Sequence, residues 1–368
     1  MRPIKLILAD GTTMAGRSVG PAEAVGGEVV FNTAMSGYVE TLTDPSYHGQ
    51  ILVCTYPLIG SYGVPAARAP GSLELPYESD RIQVQGLVMQ NYVDNYSHHA
   101  AARSLARWLH DEGVPGVTGI DTRTLTRRLR EHGTIAGWLV PEGVDEDQAR
   151  SRARTVDMRR EVFQRVRPPR TVRYGETGPT ILLIDIGAKD NIVRSLLQRD
   201  CSVVRAPWDE DLPALAADCD GIVLGNGPGD PTDLPGVVAT LRGLIEDFDR
   251  PIFGICLGNQ LLGLAAGAVT YKLPYGHRGI NQPVRDLRSG RCFITSQNHG
   301  YAIDNDSLPA GWEVWFTNLN DGTNEGIRAV DRAIFSVQFH PEAHPGCRDT
   351  GYLFDDFLHE VRARARVA

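Results

Sequence analysis

The chain has 368 residues, more than one ordinary domain holds and enough for two. Hydrophobic residues make up 42% and charged residues 22%, the balance of a soluble globular protein. A formal net charge of -8 repels phosphates at long range, which argues against a nucleic acid or an anionic membrane surface as partner.

The chain opens with Met1-Arg-Pro-Ile-Lys-Leu-Ile-Leu-Ala-Asp-Gly11, whose apolar run is short and has no cleavage-site pattern. It reads as a strand rather than a signal peptide, and no apolar stretch reaches bilayer length. The expectation is a cytoplasmic protein with no membrane partner. Strand-like runs follow at Lys5–Leu8, Glu28–Phe31, Ile51–Thr55 and Leu87–Met89, separated by turn residues. Helical patterns appear near 100–112, with Leu105, Trp108 and Leu109 on one face, and at 122–131. Residues 1–165 are therefore expected to form a smaller α+β domain. The stretch 166–179 contains Pro168-Pro169 and two glycines, and reads as a linker.

After it the texture changes. Thr180–Ile184 is a near-continuous apolar run, as in a strand buried on both faces. Asp190 opens a helix carrying Ile192, Val193, Leu196 and Leu197. Strand signals recur at Val203–Ala206, Gly221–Leu224 and Ile252–Ile255, with helical segments near 209–217 and 235–248. Residues 180–368 thus read as α/β, a doubly wound and mostly parallel sheet with its chemistry beyond the carboxyl ends of the strands. The six cysteines, at 54, 201, 219, 256, 292 and 347, form no CxxC pair and read as reduced thiols.

Three motifs carry chemistry. Gly225-Asn-Gly-Pro-Gly-Asp-Pro231 follows a strand and presents backbone N–H groups with little obstruction. It lacks a Walker or GxGxxG pattern, so a transient oxyanion held by the N–H groups of Gly229 and Leu257 is the better reading than bound phosphate. Gly254-Ile-Cys-Leu-Gly258 joins a strand to an amphipathic helix and is a cysteine version of the nucleophile elbow. Cys256 at a helix N-terminus is favoured as thiolate, although alone it could equally be a packing cysteine. Val337-Gln-Phe-His-Pro-Glu342 holds His340 extended before proline, so His340 and Glu342 point to one side. Together Cys256, His340 and Glu342 make a credible Cys-His-Glu triad. His98-His99 reads as ordinary surface, and no HExxH or CxxC spacing suggests a metal.

These motifs, in this order, resemble the class I glutamine amidotransferases. In the first half, Gly27–Tyr38, Leu42–Tyr47, Thr55–Gly60, Gly119–Arg127 and Leu8–Thr12 resemble the carbamoyl-phosphate synthase small subunits, and the likeness spans essentially the whole chain. That resemblance implies hydrolysis of L-glutamine through a cysteinyl thioester, with ammonia delivered to a large subunit that makes carbamoyl phosphate for arginine or pyrimidine biosynthesis. It implies no cofactor in this chain, with ATP and Mg expected on the large subunit. It also implies that the first domain docks the partner. Glutamine contacts fall on Ser46, Gly227, Gly229, Leu257, Gln260, Asn298, Gly300 and Tyr301. Two positions depart from the family's usual residues: Asn259 stands where histidine is common, and Tyr301 where phenylalanine is common. A free-standing amidohydrolase and a glutamine-binding regulator are the competing readings.

Overall fold

The computed structural model describes residues 1–145, 147, 155–159 and 161–365, so the last three residues of the expected second domain lie outside the described residues. The chain divides into two units, Met1–Met158 and Arg159–Ala368.

In the first unit the strands are β1 (Pro3–Leu8), β2 (Thr13–Val19), β3 (Val25–Asn32), β4 (Gln50–Cys54), β5 (Leu58–Ile59), β6 (Gly86–Val88), β7 (Asn91–Tyr92), β8 (Gly116–Thr118) and β9 (Ile135–Pro141). Seven of them close into a barrel in the order β1-β2-β8-β6-β4-β3-β9, and β5 pairs with β7 separately. Closure leaves the barrel without an exposed edge. It was not legible locally, because β1 meets β9 through pairs such as Leu6 with Leu139, more than a hundred residues apart. The helices are α1 (Tyr38–Thr43), α2 (Leu105–Asp111) and α3 (Thr122–His132). Ser104 Oγ caps α2 by accepting from Arg107 N–H at 3.2 Å, and Asp121 Oδ1 caps α3 by accepting from Thr124 N–H at 2.9 Å. Val30, Leu52, Leu87, Trp108 and Leu109 are buried in one cluster. The first half is thus α+β in content and a barrel in architecture.

The second unit holds α4 (Val162–Val166), β10 (Val172–Tyr174), β11 (Thr180–Asp185), α5 (Asp190–Leu197), β12 (Ser202–Pro207), α6 (Leu212–Ala217), β13 (Gly221–Leu224), α7 (Pro235–Asp247), β14 (Ile252–Ile255) and α8 (Leu257–Ala266). It continues with β15 (Thr270–Asp286), β16 (Cys292–Ile303), β17 (Trp312–Asn318), β18 (Asn324–Ala329), β19 (Ile334–Val337) and α9 (Tyr352–Ala365). One ten-stranded sheet runs β10-β12-β11-β13-β14-β19-β18-β17-β15-β16. The five central strands β12, β11, β13, β14 and β19 are mutually parallel. Among them β13, β14 and β19 are buried throughout, as a sheet covered on both faces requires. Phe253 of β14 packs on Phe354 and Phe357 of α9.

Two features differ from the sequence reading. The stretch 166–179 contributes β10, an edge strand antiparallel to β12, and so belongs to the second unit's sheet. Beyond β19 the sheet continues through antiparallel strands, including the long β15–β16 pair with its two irregularities. The prolines and glycines of β15, which signal loops in sequence, sit at or beside those irregularities. Among the described residues, no helix is long and apolar enough to cross a membrane.

Candidate active site

The chain leaves β14 at Ile255 and turns at Cys256 directly into α8. Cys256 holds φ 55 and ψ -103, a backbone state that costs a non-glycine residue about 1–3 kcal/mol. Two hydrogen bonds pin the turn: Cys256 N–H donates to Val337 O at 2.8 Å, and Gly258 N–H to Gly225 O at 3.1 Å. The flanking glycines are a steric requirement. A Cβ on Gly258 would lie 2.4 Å from Leu224 O, and one on Gly254 would lie 2.8 Å from Gly258 O. The junction places a buried thiol at the positive end of α8.

Sγ of Cys256 donates to the carbonyl of Asn298, on β16, at 3.7 Å. Gln260, one helical turn along α8, donates from Nε2 to Tyr301 O at 2.9 Å and to Gln338 Oε1 at 3.1 Å. Gly300 lies between these two β16 positions. Gly227 approaches the elbow from the β13 loop, since a Cβ there would stand 2.8 Å from Leu257 Cδ2. Gly229 has φ +88 and lies against Phe163 of α4. Ser46 belongs to the first unit, where it is buried and its N–H donates to Asp44 Oδ1 at 2.9 Å.

His340 is extended, and its N–H donates to Ser296 O at 2.9 Å. Nδ1 lies 2.6 Å from Glu342 Oε1, and both side chains are buried. Lys189 completes this group and was not legible in sequence. Its Nζ stands 3.2 Å from Glu342 Oε1 and also donates to Ala343 O. The loop after β11 delivers it: Asp185 Oδ1 accepts from Gly187 and Ala188 N–H at 2.7 Å each, and Asn226 Oδ1 accepts from Lys189 N–H at 2.9 Å. Burial opposes ionisation of Glu342, but the charges of Lys189 and then His340 outweigh it and hold the carboxyl at about 2. Burial likewise opposes the imidazolium, and the charges of Glu342 and Cys256 outweigh it, raising His340 to about 10.

A second assembly of titratable groups lies in the same unit. His277 on β15, His299 on β16 and Glu325 on β18 are all buried, and one ligand atom from each lies within 4.8 Å of the others.

Two family descriptions match the chain: "Carbamoyl-phosphate synthase small chain, CPSase domain" over residues 6–139 and "Glutamine amidotransferase class-I" over residues 182–360. The carbamoyl phosphate synthase small chain of Symbiobacterium thermophilum is 48% identical over 95% of this chain and 96% of its own length. The arginine-specific small chain of Schizosaccharomyces pombe is 48% identical over 97% of this chain and 86% of its own. The chain belongs to the carbamoyl-phosphate synthase small chain family. It is also 45% identical to the multifunctional protein URA2 of Saccharomyces cerevisiae over 98% of its length, although it spans only 18% of that larger protein.

One expectation for this family member is corrected. The enzyme was expected to rest on a closed Cys-His-Glu triad, and among the described residues the compact cluster is His277-His299-Glu325, which contains no cysteine. The physical reason lies in where the thiol points. Cys256 Sγ gives its hydrogen bond to Asn298 O, while His340 Nε2 has no hydrogen-bond partner among the described residues. The imidazole–carboxylate pair is present, and the thiol, close enough to His340 to shift it, gives its hydrogen bond to the Asn298 carbonyl.

The family's frequent histidine is replaced here by Asn259, and the fold accommodates the change. Asn259 is fully buried, accepts from Ser336 Oγ at 2.7 Å and donates to Gln338 Oε1 at 3.2 Å. Gln338 thereby ties Asn259 to Gln260. At the second departure, Tyr301, the ring lies 5.9 Å from Lys272 Nζ, within cation–π range.

Proposed function

We propose that this chain hydrolyses L-glutamine to glutamate and ammonia through a thioester on Cys256. The ammonia then passes to a large ATP-using carbamoyl-phosphate synthase subunit. The observation that carries the reading is the buried thiol on the strained β14–α8 turn, beside Asn298 and Gln260. Strain at a well-ordered turn is expected where geometry serves chemistry.

In the proposed reaction the Cys256 thiol passes its proton to His340 as Sγ attacks the γ-carboxamide carbon and forms the C–S bond. The C–N bond breaks, and the nitrogen takes a proton from the His340 side and leaves as ammonia. Water then cleaves the thioester, releasing glutamate and restoring the thiol. His340 and Glu342 are assigned to proton handling and its orientation. The N–H groups of Gly229 and Leu257 are assigned to the oxyanion, and Gly227, Gln260, Asn298, Gly300 and Tyr301 to glutamine. ATP and Mg²⁺ are assigned to the large subunit, the product to arginine or pyrimidine biosynthesis, and the compartment to the cytoplasm.

The test is to quench the chain with acid during turnover of glutamine and map the adduct by mass spectrometry. One γ-glutamyl group on the peptide containing Cys256 is expected. Steady ammonia release with no adduct on that peptide would overturn the assignment. Addition of the large subunit, ATP and bicarbonate should then convert glutamine nitrogen to carbamoyl phosphate.

A further inference from the structure

A chain of side-chain amides links the first turn of α8 to β16 and β19, and the Tyr301 carbonyl sets its direction. A carbonyl can only accept, so the Gln260 atom 2.9 Å from it is Nε2. The same Nε2 lies 3.1 Å from the Gln338 amide, which must therefore turn Oε1 toward it. That oxygen accepts a second time, from Asn259 Nδ2 at 3.2 Å, which leaves Asn259 Oδ1 to accept from Ser336 Oγ at 2.7 Å. Each amide orientation is forced by the one before it. Flipping any of them sets two donors or two acceptors face to face.

Gln338 is fully buried just past the end of β19, and its N–H donates to Glu325 O, on β18, at 2.9 Å. Its Nε2 is buried with no hydrogen-bond partner among the described residues. An orphaned N–H₂ costs stability, so an apolar side chain of the same length would suit packing better. The other end of the amide explains the glutamine, because one oxygen receives both Asn259 and Gln260. Gln260 in turn gives its two N–H bonds to Tyr301 O and Gln338 Oε1. Its own Oε1 is then the one polar atom of that amide left uncommitted among the described residues.

We propose that Gln338 is a positioning residue for glutamine binding: it locks the Gln260 amide so that Oε1 is the atom presented to the substrate. The inference rests on the assignment of Gln260 to glutamine. Gln260 stands one helical turn from the nucleophile, its N–H donating to Cys256 O at 3.3 Å. An amide free to flip there would offer a donor in one orientation and an acceptor in the other, and one of the two opposes whatever substrate group it meets. Fixing the amide before glutamine arrives removes that cost from binding, which is the gain of preorganisation. Gln338 acts only through Gln260, while Ser336 and Asn259 hold Gln338 in turn.

The test measures steady-state ammonia release from glutamine by the full chain, with melting curves alongside. Gln338→Met keeps the length and removes the acceptor. It should raise KM for glutamine about five- to tenfold, the scale of one hydrogen bond. Turnover at saturation should stay at the parent's value, as it does when only uniform binding is lost. Alkylation by iodoacetamide, followed on the Cys256 peptide, should keep the parent's rate. Ser336→Ala, milder for the fold, should raise KM by a smaller factor, because Asn259 Oδ1 loses the donor that orients it. A parent KM in folded Gln338→Met overturns the inference, as does a parent KM in Ser336→Ala where Gln338→Met does not fold. Slowed alkylation with a fall in turnover also overturns it, since that marks a disturbed elbow. A parent chain with neither saturable ammonia release nor an adduct on Cys256 removes the assignment of Gln260, and the inference with it.

Discussion

Two buried histidine–carboxylate assemblies lie in the second unit; each has an imidazole shifted up, His340 and His277, but their carboxylates shift in opposite directions. At His340–Glu342 a lysine is set against the carboxylate, and Glu342 is held ionised, at about 2, beside an imidazole raised to about 10. At His277–His299–Glu325, burial outweighs His277, and Glu325 is pushed above the ordinary carboxylate range. The same burial pushes His299 well below the ordinary histidine value, helped by the charge of His277. Residue type does not distinguish the two. A fixed cation against one carboxylate does, because in a buried site the nearest full charge competes directly with the cost of desolvation. The first assembly also neighbours the elbow cysteine, and the second does not contain one.

The sharpest way to break this division is to remove the thiol. Cys256→Ala should abolish ammonia release from glutamine while leaving the melting curve close to the parent's. Glutaminase activity surviving in that variant would move the chemistry away from the elbow. Next in size, His340→Asn should lower turnover by about 10²–10⁴-fold, the range for loss of a proton-transfer group. A loss of less than tenfold, in steady-state assays of ammonia, would leave His340 with packing alone.

Lys189→Met sharpens the comparison, because it makes the first assembly resemble the second. Glu342 is depressed in the folded state, so its contribution to stability is complete above the unfolded value of about 4.3 and is lost as pH falls toward 2. Without Lys189 the folded value rises, and the acid limb of stability moves to higher pH. At neutral pH the loss should be about 3 kcal/mol, the scale for breaking a buried ion pair. His340 has the opposite sign: its contribution is complete below about 6.5 and is lost as pH rises through about 10. Thermal melts across pH read both limbs, and an unmoved acid limb in Lys189→Met would take the lysine out of the account. The smallest effect concerns a neutral neighbour. Ser336→Ala removes one buried hydrogen bond to Asn259 and should cost about 1 kcal/mol of stability, with the acid limb unchanged.

Sequence by itself determined what depends on a few adjacent residues. The Gly254-Ile-Cys-Leu-Gly258 turn is written locally, because its glycines answer clashes that any side chain there would meet. His340 and Glu342 pair at 2.6 Å as read from sequence, but across a turn rather than along an extended segment: Pro341 and Glu342 form a turn in which Ala343 N–H donates to His340 O at 3.1 Å. The buried parallel strands announced themselves as apolar runs, and Gly221–Leu224 and Ile252–Ile255 kept the limits read from sequence. Tertiary structure alone decided what depends on distant partners. It closed the first-unit barrel, turned 172–174 into an edge strand and built the β15–β16 pair from a stretch rich in loop-forming residues. It also brought Lys189 to Glu342 and aimed the thiol at Asn298. His277 and His299 face each other across the consecutive β15 and β16, and Glu325 reaches them only because the sheet brings β18 close. No short motif can encode such a meeting, because sequence spacing fixes geometry only within a single turn, helix or strand.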